Sequence, residues 1–536
     1  MSRIRRATAA MCVAATIGVG ALALAGPAAA ANTTYYVDAA SGSDANAGTS
    51  TATAWKTLAK VNATTFGAGD KILLHTDQTW VEQLRPKGSG VAGNPITIGN
   101  YGGGAKPIVD GKNVAGGGAG GGAVYLVNQS YWTITGLEVT NDNGTNNVVG
   151  SNRVGILVNN TSGNLKTGIT IKDNYVRDVN GCFNCNGANG QTNGGISVVA
   201  DTMNGLGNGA SSYKDVQITD NVVERVGRTG INFDDYSTGF LLYFVSQDAL
   251  SKNVTIARNT LKDIDSDGII LRGSKENLIE HNTVDGAGSV TVSGTQPGTV
   301  GMFVAKTTNT VMQFNEVSRV QTHVVDGHAY DVDLFAYNTI VQHNYSHDNE
   351  GGLILLMGGL GSGSNATVRY NLSVNDGFAG DKGIVSLSSG LLNGSKIYNN
   401  TIYIKAGLNS PPIAQQGWSG DNNNGWWFRN NVVVNHGTGT WALPKGAGTT
   451  ISNNLIYGNH TAGEPADPQK ITADPQMLAP SDTAPYGIAN VGGYQLAPTS
   501  PAVGTGALIP DNGGRDFFGR PVSATAAPTR GFHEVN

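Results

Sequence analysis

A short phrase built around one asparagine returns along most of this chain. Each copy has alternating apolar residues, the asparagine, a second apolar pair and then a glycine-led strand, as in VTIARNTLKDI (254–264) followed by GIILRG (268–273). A unit of about 23 residues with short strands cannot bury its own apolar face, so it must stack on its neighbours. The ten marker residues, spaced 23 to 47 residues apart, are Asn174, Asn221, Asn259, Asn282, Asn315, Asn344, Asn371, Asn400, Asn431 and Asn454.

The repeat predicts an all-β fold in which the chain winds as a parallel solenoid. The glycine-led strands alternate with period two, and neither the 3.6-residue period of helical repeats nor the spacing of leucine-rich repeats is present. Coils about 4.8 Å apart would let each marker amide hydrogen-bond the coils above and below. Glycine is abundant, at 76 of 536 residues, and charged residues make up only 14%, which is typical of many turns and few long helices.

The N-terminus predicts export. Arg3, Arg5 and Arg6 precede an apolar run, and small residues follow Pro27, so residues 1–31 are expected to be a signal peptide. The mature protein is then secreted to the extracellular space, with no membrane association once the signal is removed. A net charge of -5 argues against nucleic acid as a partner.

Two cysteines remain after removal of the signal peptide, Cys182 and Cys185. In an oxidising compartment their spacing predicts a short disulfide. A metal half-site or a redox pair is the alternative.

Both ends of the chain carry segments that differ from the repeat, YYVDAASGSDANAGTSTATAWKTLAKV (35–61) and DNGGRDFFGRP (511–521). With these segments around the repeats, the chain resembles the right-handed parallel β-helix proteins of the pectate-lyase-like superfamily. The resemblance implies an exported carbohydrate-active protein with N- and C-terminal caps. It divides the mature chain into a cap with the first coils (32–122), the β-helix coils (123–460) and a C-terminal cap (461–536).

Outward residues of the glycine-led strands are expected to line a groove that holds a polysaccharide. In DGHAYDVDLF (326–335), the period-two rule buries Val332 and Leu334 and turns Asp331 and Asp333 outward. Their Cα atoms would be about 6.6–7 Å apart, close to the roughly 6.5–9.5 Å between acid and base in inverting glycosidases. We therefore expect a glycoside hydrolase that uses Asp331 and Asp333. The alternative is an acidic turn that is only solvated or binds calcium.

Further residues are expected around this pair. Asp234, His328 and Arg272 are additional catalytic candidates, because the first is a neighbouring acid, the second enters the candidate strand and the third points outward. The candidates for substrate binding are Asn232, Asp267, Lys306, Tyr330 and Phe303. Trp426 and Trp427 are considered as sugar-stacking residues, with packing in the core or cap as the alternative.

Two other functions stay open. A uronate lyase would use Arg272, Lys306 or Lys382 as base and calcium to neutralise the substrate carboxylate. Calcium is the only cofactor that the sequence suggests, and its candidate ligands are Asp201, Asp234 and Asp235. A non-catalytic surface protein that binds glycan is the third hypothesis. In each case the chain is expected to be a monomer.

Overall fold

The computed structural model describes residues 32–535 of the chain with several gaps. Residues Asn32–Asn536 form one compact unit, and the predicted signal peptide, residues 1–31, lies outside the described residues. The gaps are 113, 115–120, 145–151, 184–189, 202–210, 237–250, 291–297, 323–325, 359–363, 380–381, 389–391, 393, 417–424 and 444–447.

Three long parallel sheets make up the described part of the chain, as the repeat predicts. Each complete coil contributes one strand to each sheet. One coil, for example, passes from Gly194–Ala200 through Ser212–Thr219 to Val222–Val226, and the chain then returns to the first sheet with Thr229–Asp235. The sheets contain fourteen, thirteen and ten strands, and a separate pair consists of Thr65–Phe66 and Lys87–Gly88.

The fourteen-stranded sheet consists of Thr34–Val37, Lys71–His75, Ile96–Tyr101, Trp132–Thr135, Leu165–Lys172, Ser212–Thr219, Ser251–Ala257, Ser274–Glu280, Thr308–Gln313, Ile340–Gln342, Thr367–Arg369, Lys396–Tyr398, Trp427–Arg429 and Thr450–Ser452. The thirteen-stranded sheet consists of Thr79–Trp80, Ile108–Asp110, Glu138–Asn141, Tyr175–Val179, Val222–Val226, Thr260–Ile264, Thr283–Ala287, Glu316–Ser318, Tyr345–His347, Leu372–Val374, Thr401–Ile404, Val432–Asn435 and Leu455–Gly458. The ten-stranded sheet consists of Gly122–Val127, Val154–Asn160, Gly194–Ala200, Thr229–Asp235, Ile269–Arg272, Met302–Ala305, Tyr330–Val332, Ile354–Met357, Val385–Ser388 and Ile413–Gln416. The described helices are the α-helix Leu58–Ala63 and the short three-ten helices Thr51–Thr53, Gly190–Thr192 and Ile488–Tyr494. Within the described residues, no helix is long and apolar enough to cross a membrane.

The marker asparagines form the ladder that the sequence predicts. The Nδ2 atom of Asn259 donates to Oδ1 of Asn282 at 3.0 Å and to the carbonyl of Ile218 at 2.8 Å. The same link joins every marker from Asn174 to Asn454 to the next one along the chain. The ladder ends on a carboxylate, because Nδ2 of Asn454 donates to Oδ2 of Asp467 at 3.0 Å. Buried amides with both donors and the acceptor satisfied hold the coils in register.

Both ends of the solenoid are covered. The helix Leu58–Ala63 buries Leu58 and Val61 against the core at the N-terminal end. At the other end, Ile471 pairs with Leu455 of the last coil. Covering an end pairs or shields strand edges that would otherwise be open to aggregation.

The C-terminal segment does more than close the last coil. It continues along the outside of the thirteen-stranded sheet, where the hydroxyl of Tyr345 donates to the carbonyl of Pro485 at 2.9 Å. The carboxylate of Glu316 accepts from the backbone N–H groups of Gly487 and Ile488 at 2.8 and 2.9 Å. The segment therefore ties together several coils rather than only the terminal one.

Candidate active site

The outer face of the ten-stranded sheet presents two parallel rows of side chains. In the first row, Asn232, Ile270, Phe303 and Asp331 lie directly opposite one another on four successive coils. In the second, Asp234, Arg272 and Ala305 are register partners, and Asp333 follows because its N–H donates to the carbonyl of Val304 at 2.9 Å. Asp331 and Asp333 thus share this face.

The strand that carries these two aspartates is shorter than expected. Val332 is buried in the core, as predicted, but the strand ends there. The prediction that Leu334 is also buried in the core is wrong. Leu334 is only partly buried and packs against Phe335, which has a left-handed backbone (φ 63°) and turns the chain away from the sheet. The turn places Asp333 at the end of the strand, where it keeps some solvent contact.

Asp331 is buried near three other carboxyl groups. Only 4% of the residue is exposed. Burial raises the pKa of Asp331 well above its usual value, and the charges of Asp333, Asp326 and Asp267 raise it further. Oδ1 of Asp331 has no hydrogen-bond partner. Its surroundings therefore favour the protonated form of this carboxyl.

Asp326 joins this group from the segment that enters the strand. It pairs with Thr299 of the preceding coil. Burial raises the pKa of Asp326 to about 7, with further contributions from the negative charges of Asp267 and Asp333, while Lys382 opposes the shift. A carboxylic acid with a pKa in this range suits a general acid at neutral pH.

Of Asp326, Asp331 and Asp333, Asp333 has the surroundings that most favour the ionised carboxylate. Burial raises the pKa of Asp333, but three groups favour the anion. The N–H of Leu334 donates to its Oδ1 at 2.5 Å, and the positive charges of Arg272 and Lys306 act on it. No positive charge opposes the shift of Asp331 in the same way. The surroundings therefore favour the anion more at Asp333 than at Asp331.

Two predicted acids are engaged by arginines. Asp234 forms an ion pair with Arg272, whose guanidinium also lies 5.7 Å from the centre of the Tyr236 ring. Asp267 is fully buried and pairs with Arg228 at 2.7 Å. Neither acid is available as a free base. Asp234 instead fixes the position of Arg272. The positive charge of Arg272 acts on Asp333.

The remaining predicted residues are divided between the outer face of the ten-stranded sheet and the core. Tyr330 points into the core, where its hydroxyl donates to the carbonyls of Asn315 and Tyr345 at 3.0 and 3.1 Å, so the prediction that it contacts substrate is wrong. Phe303 lies on the outer face and contacts Ile270, outside the main core. His328 is buried, and its Nε2 lies 2.8 Å from Oγ of Ser386. Ser386 continues the first row, because Asp331 pairs with Leu355 and Leu355 pairs with Ser386. Lys306 follows strand Met302–Ala305 and is partly exposed.

The tryptophan pair lies away from the groove. Trp426 is buried in the core, and Trp427 belongs to the fourteen-stranded sheet, where Arg429 lies 4.2 Å from its ring. Neither therefore stacks on a sugar in the groove of the ten-stranded sheet.

The residues predicted to bind calcium do not form a site. Asp234 is paired with Arg272, whereas Asp235 accepts a hydrogen bond from Oγ of Ser251 at 2.6 Å. Adjacent strand residues point to opposite faces of a sheet, so Asp234 and Asp235 point away from each other and cannot share one ion. Elsewhere in the described ranges, no group of three His, Cys, Asp or Glu side chains is placed to hold a metal ion.

Cys182 is buried and disulfide-bonded. Its predicted partner, Cys185, lies outside the described residues.

Comparison with known proteins gives the same architecture. A family model described as a right handed beta helix region matches residues 204–407. A lacto-N-biosidase from Bifidobacterium longum subsp. longum is 29% identical over 590 aligned positions, covering 91% of this chain and 36% of the relative. The chain therefore spans about a third of the length of this curated relative.

Solved structures share the winding. The crystal structure of a GH136 lacto-N-biosidase from Eubacterium ramulus has a TM-score of 0.61 at 24% identity, covering 79% of this chain and 67% of the other. XylC in complex with xylose has a TM-score of 0.50 at 11% identity, covering 93% and 98%. At these identities the likeness concerns the fold. The chain is a right-handed parallel β-helix protein, as the spacing of its asparagines and its glycine-led strands predicted.

Proposed function

We propose that this protein is a glycoside hydrolase whose active site is the outer face of the ten-stranded sheet around Asp326, Asp331 and Asp333. The observation that carries the proposal is the unequal environment of these three carboxyls. Asp333 is close to Arg272 and Lys306, whereas burial and neighbouring acids raise the pKa of Asp326 to about 7 and that of Asp331 further. Glycosidic cleavage requires one protonated and one ionised carboxyl at the same bond.

Each carboxyl has a role in this chemistry. Asp326 gives its proton to the departing glycosidic oxygen as the bond to the anomeric carbon breaks. Asp333, as the anion, either attacks that carbon or takes a proton from the attacking water. Asp331 retains its proton, and the charges of the other two act on it. The pair expected from sequence, Asp331 and Asp333, thus becomes a group of three.

The similarity of this chain to lacto-N-biosidases supports a hydrolytic reaction. The relatives named lacto-N-biosidase are enzymes that, by their name, release a disaccharide unit from a glycan. We extend to this chain only the class of reaction, with a polysaccharide or oligosaccharide as substrate.

The residues needed for elimination are less well placed. Arg272 is bound to Asp234, and Lys382 is buried, so neither presents an open base to a substrate. Lys306 is partly exposed, but its positive charge acts on Asp333. Two of the three aspartates proposed as calcium ligands, Asp234 and Asp235, point to opposite faces of the sheet. A hydrolase therefore fits the described residues better than a lyase.

We also propose that the enzyme acts outside the cell as a monomer. Export is supported by the arginine-led apolar segment within residues 1–31. The disulfide at Cys182 suits an extracellular protein.

The reaction is tested by incubating the mature protein with a panel of neutral and acidic glycans. Hydrolysis releases new reducing ends without the ultraviolet absorbance of an unsaturated uronate. Appearance of that absorbance would identify a lyase. If neither signal appears across the panel and the glycans nevertheless bind, the protein is a non-catalytic binding protein.

A further inference from the structure

The outer face of the fourteen-stranded sheet carries a shallow trough that crosses three successive coils. Its floor consists of Val311, Ile340 and Thr367, each directly opposite the next on adjacent strands. All three are partly exposed, whereas Met312 and Val341, the next residues along two of these strands, are buried in the core. The trough encloses about 290 Å³, and a ligand from solvent can reach its floor.

Three asparagines form one wall of the trough. Asn309, Asn338 and Asn365 each lie two residues before a floor residue, and all three are exposed. Nδ2 of Asn365 donates to Oδ1 of Asn338 at 2.8 Å, and Nδ2 of Asn338 donates to Oδ1 of Asn309 at 3.2 Å. A side-chain amide has two N–H donors and a carbonyl oxygen that accepts twice. Each of these exposed amides therefore keeps hydrogen-bonding capacity for a ligand.

The backbone turn explains only part of this row of asparagines. All three have a positive φ, between 49° and 55°, which asparagine and glycine adopt more easily than other residues. The coil before them has Glu276 in the corresponding position (φ 59°), and the two coils after them have Gly394 and Gly425. The turn thus accepts other residues and does not by itself require an amide on three coils in succession.

The charges around the trough favour a neutral ligand. The described residues that line it are uncharged. Charged side chains begin one coil beyond each end, with Glu276 in the row of asparagines and Lys396 in the row of floor residues. Because these two charges have opposite signs, neither an anion nor a cation is preferred along the whole trough.

The size and chemistry of the trough fit a sugar chain better than a protein. Its six lining side chains are far fewer than the roughly 20–30 residues that each partner contributes to a stable protein interface. The strands beneath it are paired on both sides within the sheet, so a peptide strand cannot add to an edge here. Amides beside apolar side chains match a pyranose ring, which has hydroxyl groups at its rim and C–H groups on its faces.

We infer that this trough is a second glycan-binding site, which holds a neutral saccharide chain along the helix axis. Asn309, Asn338 and Asn365 hydrogen-bond the hydroxyl groups, and Val311 and Ile340 contact the C–H faces. The site lies on a different sheet from the proposed active site, and its described lining residues include no carboxyl group, so it binds sugar without cleaving it. Binding at the trough goes beyond the proposed function, whereas its effect on turnover rests on that function.

The test measures binding and turnover separately. Binding is measured as retardation in native gels that contain arabinoxylan, galactomannan or mixed-linkage β-glucan, with Asp333→Asn in every protein so that the polysaccharide stays intact. Asn338→Gly removes an amide and keeps the left-handed turn, and Ile340→Thr reduces the apolar floor and keeps a β-branched side chain. The two substitutions are measured singly and together. The matched control is Asn253→Gly, an exposed asparagine at the same kind of turn (φ 57°) two coils before Asn309.

The inference predicts that the double variant binds at least one of the neutral polysaccharides about tenfold or more weakly. Asn253→Gly should bind as the parent protein does. Retardation by the anionic polymers alginate and polygalacturonate should be the same with and without the trough substitutions. In proteins that retain Asp333, the double variant should have a higher KM for the polysaccharide with an unchanged kcat, and unchanged kinetics on a short oligosaccharide of the same sugars.

Four results would overturn the inference, with unfolding curves to verify that each protein is folded. They are no retardation of the parent protein in any neutral gel, equal retardation of the parent and all trough variants, an equal loss in Asn253→Gly, and a dimer in sedimentation that the trough substitutions dissociate. The last result would assign the face to a second copy of the chain. If the trough variants lose binding but the wild type cleaves no glycan, the inference stands and the proposed function fails. If glycans are cleaved and the trough variants bind normally, the proposed function stands and the inference fails.

Discussion

Arg272 and Asp234 lie opposite each other on adjacent coils and form an ion pair on the outer face of the ten-stranded sheet. The guanidinium is held further by the hydroxyl of Tyr236, at 3.3 Å. Its positive charge also lowers the pKa of Asp333, in opposition to the effect of burial. The register between adjacent coils thus places Arg272 where its charge favours the anion of Asp333, the proposed catalytic carboxylate.

Removal of this positive charge should move the pH profile. In Arg272→Gln the pKa of Asp333 rises, so a higher pH is needed to ionise it. We expect the acid limb of the kcat/KM profile to move to higher pH, while Arg272→Lys, which keeps the charge, moves it less. Profiles of the three proteins measured with one substrate would check this. An unmoved acid limb in Arg272→Gln would contradict the role of Arg272.

Asp326 should control the alkaline limb. Its pKa of about 7 implies that the proton needed by the leaving group is lost above neutral pH. Asp326→Asn should lower kcat by about 10²-fold or more and abolish the alkaline limb. A normal rate or an unchanged limb in this variant would assign the acid to another residue, with Asp331→Asn as the next variant to measure.

Asp326 should also make the stability of the fold depend on pH. The pKa of Asp326 is raised in the folded protein, so folding is favoured when the carboxyl is protonated, below about pH 4, and loses this contribution as pH rises through about 7. Asp326→Asn does not titrate. We expect its free energy of unfolding relative to wild type to increase by about 1–3 kcal/mol between pH 5 and pH 8. Urea unfolding at both pH values checks this, and a constant difference would exclude the raised pKa.

Interruption of the asparagine ladder should be costly. Asn371 accepts from both the backbone N–H and the Nδ2 of Asn344, so Asn371→Ala leaves buried donors without a partner. We expect a loss of about 2–4 kcal/mol in the free energy of unfolding. Thr367→Ala, on the outer face of the same coil, should cost about 1 kcal/mol or less. Equal losses in the two variants would show that the ladder adds little.

His347 should make the attachment of the C-terminal segment sensitive to pH. Burial lowers its pKa, but hydrogen bonds with Asp348 and Glu316 and the charge of Asp376 outweigh burial and raise it to about 9. Glu316 in turn holds Gly487 and Ile488. A raised histidine pKa stabilises the fold fully below about pH 6.5, and this contribution is lost as pH rises through about 9.

The comparison of wild type with His347→Gln tests this dependence. Between about pH 6 and pH 9.5 the unfolding midpoint of wild type should fall more than that of the variant. Parallel curves for the two proteins would show that His347 is not charged in the folded state.

The parallel β-helix could be predicted from the sequence because it depends on local patterns. The ladder asparagines each follow a residue with a left-handed backbone, such as His281 or Phe314 (both φ 54°), and the phrase is visible in every copy. The inward positions of Ile231, Phe233 and Val332 follow from period two alone. The same rule turns Tyr330 inward, since Tyr330 is two residues from Val332. The expectation that Tyr330 binds substrate was therefore inconsistent with the rule that turns Asp331 outward.

The details of the site depend on register between coils, which the sequence does not show. Inserted segments separate Asp234 from Arg272 by 38 residues, and no local pattern indicates that the two lie opposite each other. Asp326 precedes its strand, where period two does not apply. Its left-handed backbone (φ 66°) and the glycine after it mark a turn, and only the fold shows that this turn brings Asp326 to Asp333.

The turnover of Asp333→Asn tests the central claim most directly. Purified wild type and Asp333→Asn are compared on the glycan that the wild type cleaves fastest, with release of reducing ends as the signal and unfolding curves to verify that both are folded. We predict that the variant keeps its stability and loses about 10²-fold or more of kcat, because the group that must be anionic is gone. Wild-type turnover in a folded Asp333→Asn protein would contradict the account.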